Sequence, residues 1–284
     1  MSTNDPHPPG DAAQPVPTVP QRPRRVMAPV LLFLGTCLST WLVGGPAFSF
    51  AIMTILLAHE LGHYIQARRY GVPVSLPYFI PMPASPIGTM GAVIAMQPGV
   101  GNRRTLFDIA VTGPLAGLVP ALVFSIVGLH WSRLVTMDEA PTRLMLGEPL
   151  VFKALAYLVF GPLPDGQDIE LHAVAFAGWT GILITALNLF PIGQLDGGHI
   201  LYSLLLRRAH VIATLLLFAA MAAVVIFGYW GWSLMIVLLM LMGPAHPPTA
   251  DDTVFLGPGR TILGWISLMF MPVGFTPLPF SFGM

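Results

Sequence analysis

Charge is what this chain has least of. Asp, Glu, Lys and Arg make up 9% of its 284 residues, against roughly 25% in soluble domains, which excludes an ordinary water-soluble globule. Acids and bases balance at 13 each and no basic stripe appears, so nucleic acid is excluded as a partner. There is one cysteine, Cys37. That excludes an intrachain disulfide and leaves the redox compartment open; in its apolar run Cys37 reads as a small packing residue. The N-terminal segment does not read as a signal peptide, and a transit peptide is a weaker reading because of Asp5, Asp11 and the few serines. The first 25 residues hold seven prolines and few large apolar side chains, a composition that cannot bury enough surface to fold, so 1–25 is expected to be a disordered tail. The apolar run that follows begins too late and is too long for a leader.

What is present is apolar length: 55% of the residues are hydrophobic and the mean hydropathy is +0.74. Stretches near 26–43, 46–66, 106–129, 171–190, 210–227, 230–242 and 261–275 are apolar enough to enter a bilayer, although some are short for a full crossing. The expected fold is an all-α polytopic membrane protein with about six transmembrane helices, residues 26–284 forming one transmembrane domain. Between 71 and 101 six prolines (73, 77, 81, 83, 86 and 98) remove too many backbone donors for a helix. This stretch reads as a re-entrant loop after the second span, with one or two short strands over 88–96, or else as a surface loop. Ten of the 13 basic residues fall on one side of the resulting topology, which marks that side as cytoplasmic. Within the third span, Gly113-Pro114-Leu115-Ala116-Gly117 is a small-xxx-small pattern that lets helices approach closely, with a kink expected at Pro114.

The chemistry lies in the second span, at His59-Glu60-Leu61-Gly62-His63. An ionisable residue at the centre of a spanning helix costs about 2.5–3.5 kcal/mol on insertion scales, so it needs a partner or a task. One helical turn separates the two histidines, which therefore share a face, and this H-E-x-x-H spacing is that of two zinc ligands with a general base between them. A catalytic zinc needs a third protein ligand. Only Glu60, Asp108 and Asp196 are acids within or at the ends of the spans. Asp196 is the best candidate, because Gly197-Gly198 allow a sharp turn that would aim it inward. Asp108 reads as a helix N-terminal or interfacial charge. His199 reads as an interfacial or capping residue and, second, as an alternative ligand; His130, His172, His210 and His246 read as interfacial. Asn188 reads equally as a hydrogen-bonding partner for another helix or for substrate.

His59-Glu60-Leu61-Gly62-His63, together with Asn188-Leu-Phe-Pro191-Ile-Gly-Gln-Leu-Asp196-Gly197, resembles the two signature motifs of the site-2 proteases, which are intramembrane zinc metalloproteases. The resemblance runs over most of the chain from about residue 26 and fits a compact member without a PDZ insert. It implies Zn2+ held by His59, His63 and Asp196, Glu60 as the catalytic base, and Asn188 and Pro191 in substrate binding. The implied function is an endopeptidase cleaving in or near the transmembrane segment of a membrane-protein substrate, with release of a signalling protein as one outcome. The lipid bilayer and a membrane-protein substrate are the expected partners, and an upstream protease or adaptor fits the same scheme. The expected location is a prokaryotic plasma membrane, as a multi-pass protein with the site toward the cytoplasm. A reading of another class, a metal-ion transporter using the same residues as a transit site, competes with it.

Overall fold

The computed structural model describes residues 26–96, 101–136 and 144–282; the expected disordered tail, 1–25, lies outside them. The fold is mostly helical. In chain order it comprises α1 (Met27–Arg69), β1 (Tyr78–Pro81), β2 (Thr89–Val93), α2 (Arg103–His130), β3 (Arg133–Thr136), β4 (Leu144–Leu146), α3 (Leu150–Phe160) and β5 (Gln167–Glu170). It continues with α4 (Ala173–Asn188), α5 (Asp196–Leu205), α6 (Arg208–Phe227), a 3-10 turn at Trp230–Trp232, α7 (Ser233–Met242), α8 (Pro258–Gly274) and β6 (Phe280–Phe282).

α1 is not one rod. Gly45 leaves the helical region at φ 78°, ψ 178°, with Pro46 next. Ser49 Oγ then donates to the Cys37 carbonyl at 3.0 Å and lies 2.8 Å from Thr40 Oγ1. Twelve residues of straight helix would separate Cys37 and Ser49 by about 18 Å, so the arms 27–44 and 46–69 form a helical hairpin. A glycine with positive φ followed by a proline is what such a turn requires. The first two spans expected from the sequence are these two arms.

Three helices, α1, α2 and α6, have the length and hydropathy to cross a membrane. Because α1 folds into two arms, these three helices give four apolar arms, and the remaining apolar runs of the expected six form shorter helices. α4 has 16 residues, α7 has 10 and α8 has 17, because polar turns or glycines end each of these apolar runs early. α3, apolar throughout most of its length, has only 11 residues. α2 continues through Pro114 and Pro120 without a break.

The proline-rich stretch forms a two-stranded hairpin, with β2 inside the 88–96 stretch expected to form strand. β1 and β2 pair antiparallel, Tyr78 opposite Val93 and Pro81 opposite Thr89. Their tip reaches the first arm of α1, where Ser39 Oγ donates to the Gly88 carbonyl at 2.6 Å and Phe33 meets Phe79 edge-on at 5.2 Å. The sequence did not signal β1. There are two further small antiparallel sheets among the described residues, β3 with β5 and β4 with β6, the second joining β4 to the C-terminal strand. The core lies where α2 packs against α1 and α4, with Phe48, Ile52, Phe107, Ala121, Trp179 and Ile182 fully buried.

Candidate metal centre

His59, Glu60 and His63 lie on the second arm of α1, where His59 and Glu60 are almost wholly buried. Asp196 opens α5, reached from α4 through the tight turn 189–195. That turn brings Asp196 back over the motif. Asp196 Oδ2 lies 3.1 Å from His59 Nε2 and 3.3 Å from His63 Nε2, and the two Nε2 atoms are 3.1 Å apart. Metal–ligand bonds of about 2.0–2.1 Å in a tetrahedron put neighbouring donor atoms about 3.3 Å apart, so the spacing fits a zinc-sized ion. Two imidazoles and a carboxylate are also a donor set that suits zinc. Among the described residues these three are the one group of this kind whose donor atoms converge.

The orientation of His63 is set from behind. Its Nδ1 is 2.8 Å from the Ile109 carbonyl. A carbonyl only accepts, so Nδ1 carries the proton, which leaves Nε2 as the ring atom that can bind a metal beside Asp196 and His59. Room for both rings comes from α2. A β-carbon at Gly113 would collide with the His63 ring, and one at Gly117 would come within 2.9 Å of His59 Cβ. Gly62, inside the motif, lies in turn against the Thr112 carbonyl of α2. The small-xxx-small pattern was legible as a close-packing signal. The structure adds that the partner is the H-E-x-x-H helix.

The α4–α5 turn is equally close-packed. β-carbons at Gly197 and Gly198 would strike the Leu189 and Gly193 carbonyls, and Gly193 takes φ 59°. Asn188 ends α4 with its side-chain Nδ2 3.4 Å from His59 Nε2, at the edge of the donor set. Pro191 is buried in the turn and lines a small cavity with Gly193, Gly198, His210 and His246. Glu60 has no hydrogen-bond partner among the described residues, so its carboxylate is available to a water or a substrate group beside the donor set.

The other sequence candidates lie elsewhere. Asp108 accepts Arg260 Nε at 2.7 Å and Nη2 at 2.9 Å, and Tyr70 Oη at 2.5 Å. It is a structural clamp between the ends of α1, α2 and α8. His199 Nδ1 is 2.6 Å from His246 Nε2, and His246 Nδ1 is 2.5 Å from the Pro247 carbonyl. The same argument from the carbonyl makes His246 Nδ1 the donor and His199 Nδ1 the donor to His246, both rings neutral. Burial, reinforced by the facing imidazole, holds His199 down at about 4, and burial lowers His246 as well. His210 donates to the His246 carbonyl at 3.1 Å. These residues tie α5 and α6 to the 243–257 segment, a role that sequence reasoning missed because their partners lie far along the chain.

Fold and site together define a mostly helical protein, with helices long and apolar enough to cross a membrane, that brings together three donors able to hold a metal. The model of Peptidase family M50 matches residues 47–228, a span holding His59, Glu60, His63 and Asp196, and the chain belongs to that family. It is similar to the probable zinc metalloproteases EGY2 and EGY1, chloroplastic, of Arabidopsis thaliana. Identity is 29% over 240 residues for EGY2, covering 82% of this chain and 42% of the relative. It is 28% over 235 residues for EGY1, covering 81% and 42%. The EGY1 protein of Oryza sativa subsp. japonica is 32% identical over 157 residues, 54% of this chain and 27% of the relative. The chain thus spans under half the length of these relatives. No solved structure matches it. The transporter reading finds no support among the relatives named here. The expected prokaryotic plasma membrane is overturned, since these relatives are chloroplastic plant proteins, and the cytoplasmic label for the arginine-bearing face goes with it.

Proposed function

We propose that the protein is an intramembrane zinc endopeptidase that hydrolyses a peptide bond in or near the transmembrane segment of a membrane-protein substrate. The observation that carries this reading is the convergence of His59, His63 and Asp196 donor atoms at 3.1–3.3 Å, beside a buried glutamate without a partner. His59, His63 and Asp196 hold the zinc. When bound, zinc supplies Lewis acidity toward a water and the scissile carbonyl. Glu60 accepts the proton of the attacking water and delivers it to the leaving amine. Asn188, at the edge of the donor set, donates its amide to the substrate backbone, and Pro191 fixes the turn that carries Asp196. The burial of His59 and Glu60 restricts bulk water, which strengthens each charge interaction made there.

The test uses Glu60→Gln in the full-length protein, in membranes, with a co-expressed single-span substrate. Zinc content should stay at the wild-type level while cleavage stops. Unimpaired cleavage would remove Glu60 as the base, and a zinc-free wild-type protein would remove the metal reading itself.

A further inference from the structure

α5 is a lever with Asp196 at one end, and two carbonyls at its other end are gripped by one side chain. The helix has ten residues, Asp196–Leu205, and no side chain caps its N-terminus. Its last carbonyls face a particular difficulty. Leu206 takes φ 53°, ψ −133°, so the chain turns away after α5. The Leu206 amide returns only to the Tyr202 carbonyl, which leaves the next carbonyls of the final turn without helical donors. Arg103 supplies them. Its Nε donates to the Ser203 carbonyl at 2.5 Å and its Nη2 to the Leu204 carbonyl at 3.0 Å. A guanidinium forked over two carbonyls at a helix C-terminus is held by geometry and by the negative end of the helix dipole together.

Arg103 is also the first residue of α2. That helix, ten and fourteen residues further on, holds Gly113 and Gly117 against the His63 and His59 rings, and its Ile109 carbonyl orients His63. One helix therefore seats both histidines and, through Arg103, fixes the helix that carries the third donor. Asp252 and His246 also hold α5, through Tyr202 and His199, but they belong to the 243–257 segment and not to the helix that seats the histidines. By sequence alone Arg103 and Arg104 are a pair of charges marking one membrane side. The structure separates them, because Arg104 Nη2 donates to the Phe255 carbonyl and, among the described residues, makes no hydrogen bond to α5 or the donor set.

We infer that Arg103 is a positioning residue for Asp196: it sets the register of α2 against α5 and thereby the zinc affinity of the centre. The inference rests on the metal reading above. Seven helical steps separate Asp196 from Ser203, about 11 Å, so Arg103 touches neither zinc nor substrate. Its effect comes through a short rigid helix whose carboxylate must be placed within about 0.5 Å.

The test measures zinc affinity of the full chain in detergent micelles by competition with a chromophoric chelator, for wild type, Arg103→Met, Arg103→Lys, Arg104→Met and Asp196→Ala. Arg103→Met should weaken zinc binding about tenfold or more, as for other residues that orient ligands without touching the metal. Lysine keeps the charge but not the fork, so Arg103→Lys should fall between it and wild type, and Arg104→Met should match wild type. Should Arg103→Met fail to fold, Arg103→Lys carries the test, and its cobalt-substituted visible spectrum should shift. Wild-type affinity in the Arg103 variants, with zinc lost in Asp196→Ala, overturns this inference alone. Equal losses in Arg103→Met and Arg104→Met also overturn it. Full zinc binding in Asp196→Ala overturns the metal reading and this inference with it.

Discussion

Gly113 of α2 lies so close against His63 that a β-carbon there would occupy the space of the imidazole ring. Gly113 has ordinary helical geometry, and in such a position replacing glycine by alanine normally stabilises by about 0.5–1 kcal/mol. Here the sign should reverse. Gly113→Ala forces either the α1–α2 spacing or the His63 rotamer to change, an overpacking cost of about 1–3 kcal/mol. The expected result is lower thermal stability together with reduced zinc content, read by unfolding in detergent and by metal analysis. A stabilised Gly113→Ala protein with full zinc would mean that the ring and the glycine are not in contact.

Metal removal should loosen the joint between α1 and α5, since His59 and His63 lie on one and Asp196 on the other. A ligand at a hundred times its dissociation constant stabilises by about 2.7 kcal/mol. Chelation should therefore lower the melting temperature of the wild type and leave that of Asp196→Ala unchanged. Equal shifts in both proteins would place the stabilising metal elsewhere.

Residues whose chemistry conflicts with their surroundings were the legible ones. His59, Glu60 and His63 stand out because an apolar span has no use for them, and Asp196 because two glycines follow it. The gap between the first two spans is likewise the Gly44-Gly45-Pro46 turn of α1. Pairings across long sequence distance left no local trace. Asp108 looked like a helix-terminal charge because Arg260 is 152 residues away, and His199 looked interfacial because His246 belongs to a later loop. Strands of three residues, such as β4 and β6, are too short to show a period. The length of each apolar helix was not legible, because apolar composition sets an upper limit on helix length, whereas turns and glycines set the length realised in α4, α7 and α8.

The His199–His246 pair predicts a pH dependence of stability. His199 is held at about 4 by burial and by the facing imidazole, against about 6.5 unfolded, and His246 is lowered too. Between those values the unfolded chain binds more protons than the folded one, so stability is full above pH 6.5 and falls as the pH drops toward 4. Thermal unfolding of the chelator-treated protein, in which zinc release cannot contribute, should show this slope. His199→Gln should flatten it, and an unchanged slope in that variant would assign the acid lability to other groups.

The clamp of Asp108, Tyr70 and Arg260 predicts a coupling between α2 and α8. The Asp108 side chain is 14% exposed, and it accepts both Arg260 nitrogens and the Tyr70 hydroxyl. Removing Arg260 leaves the carboxylate mostly shielded from water with one donor in place of three. Arg260→Leu should therefore cost about 1.5–3 kcal/mol, the range for a hydrogen bond to a charged group. Adding Asp108→Leu removes the stranded charge, so the double variant should lose less than the sum of the singles. Zinc affinity should be unaffected in all three, because the clamp holds the first turn of α8 and none of the donors. Denaturant unfolding of the four proteins closes the cycle. Strict additivity would show that the ion pair adds nothing, and a loss of zinc binding would show that α8 bears on the centre itself.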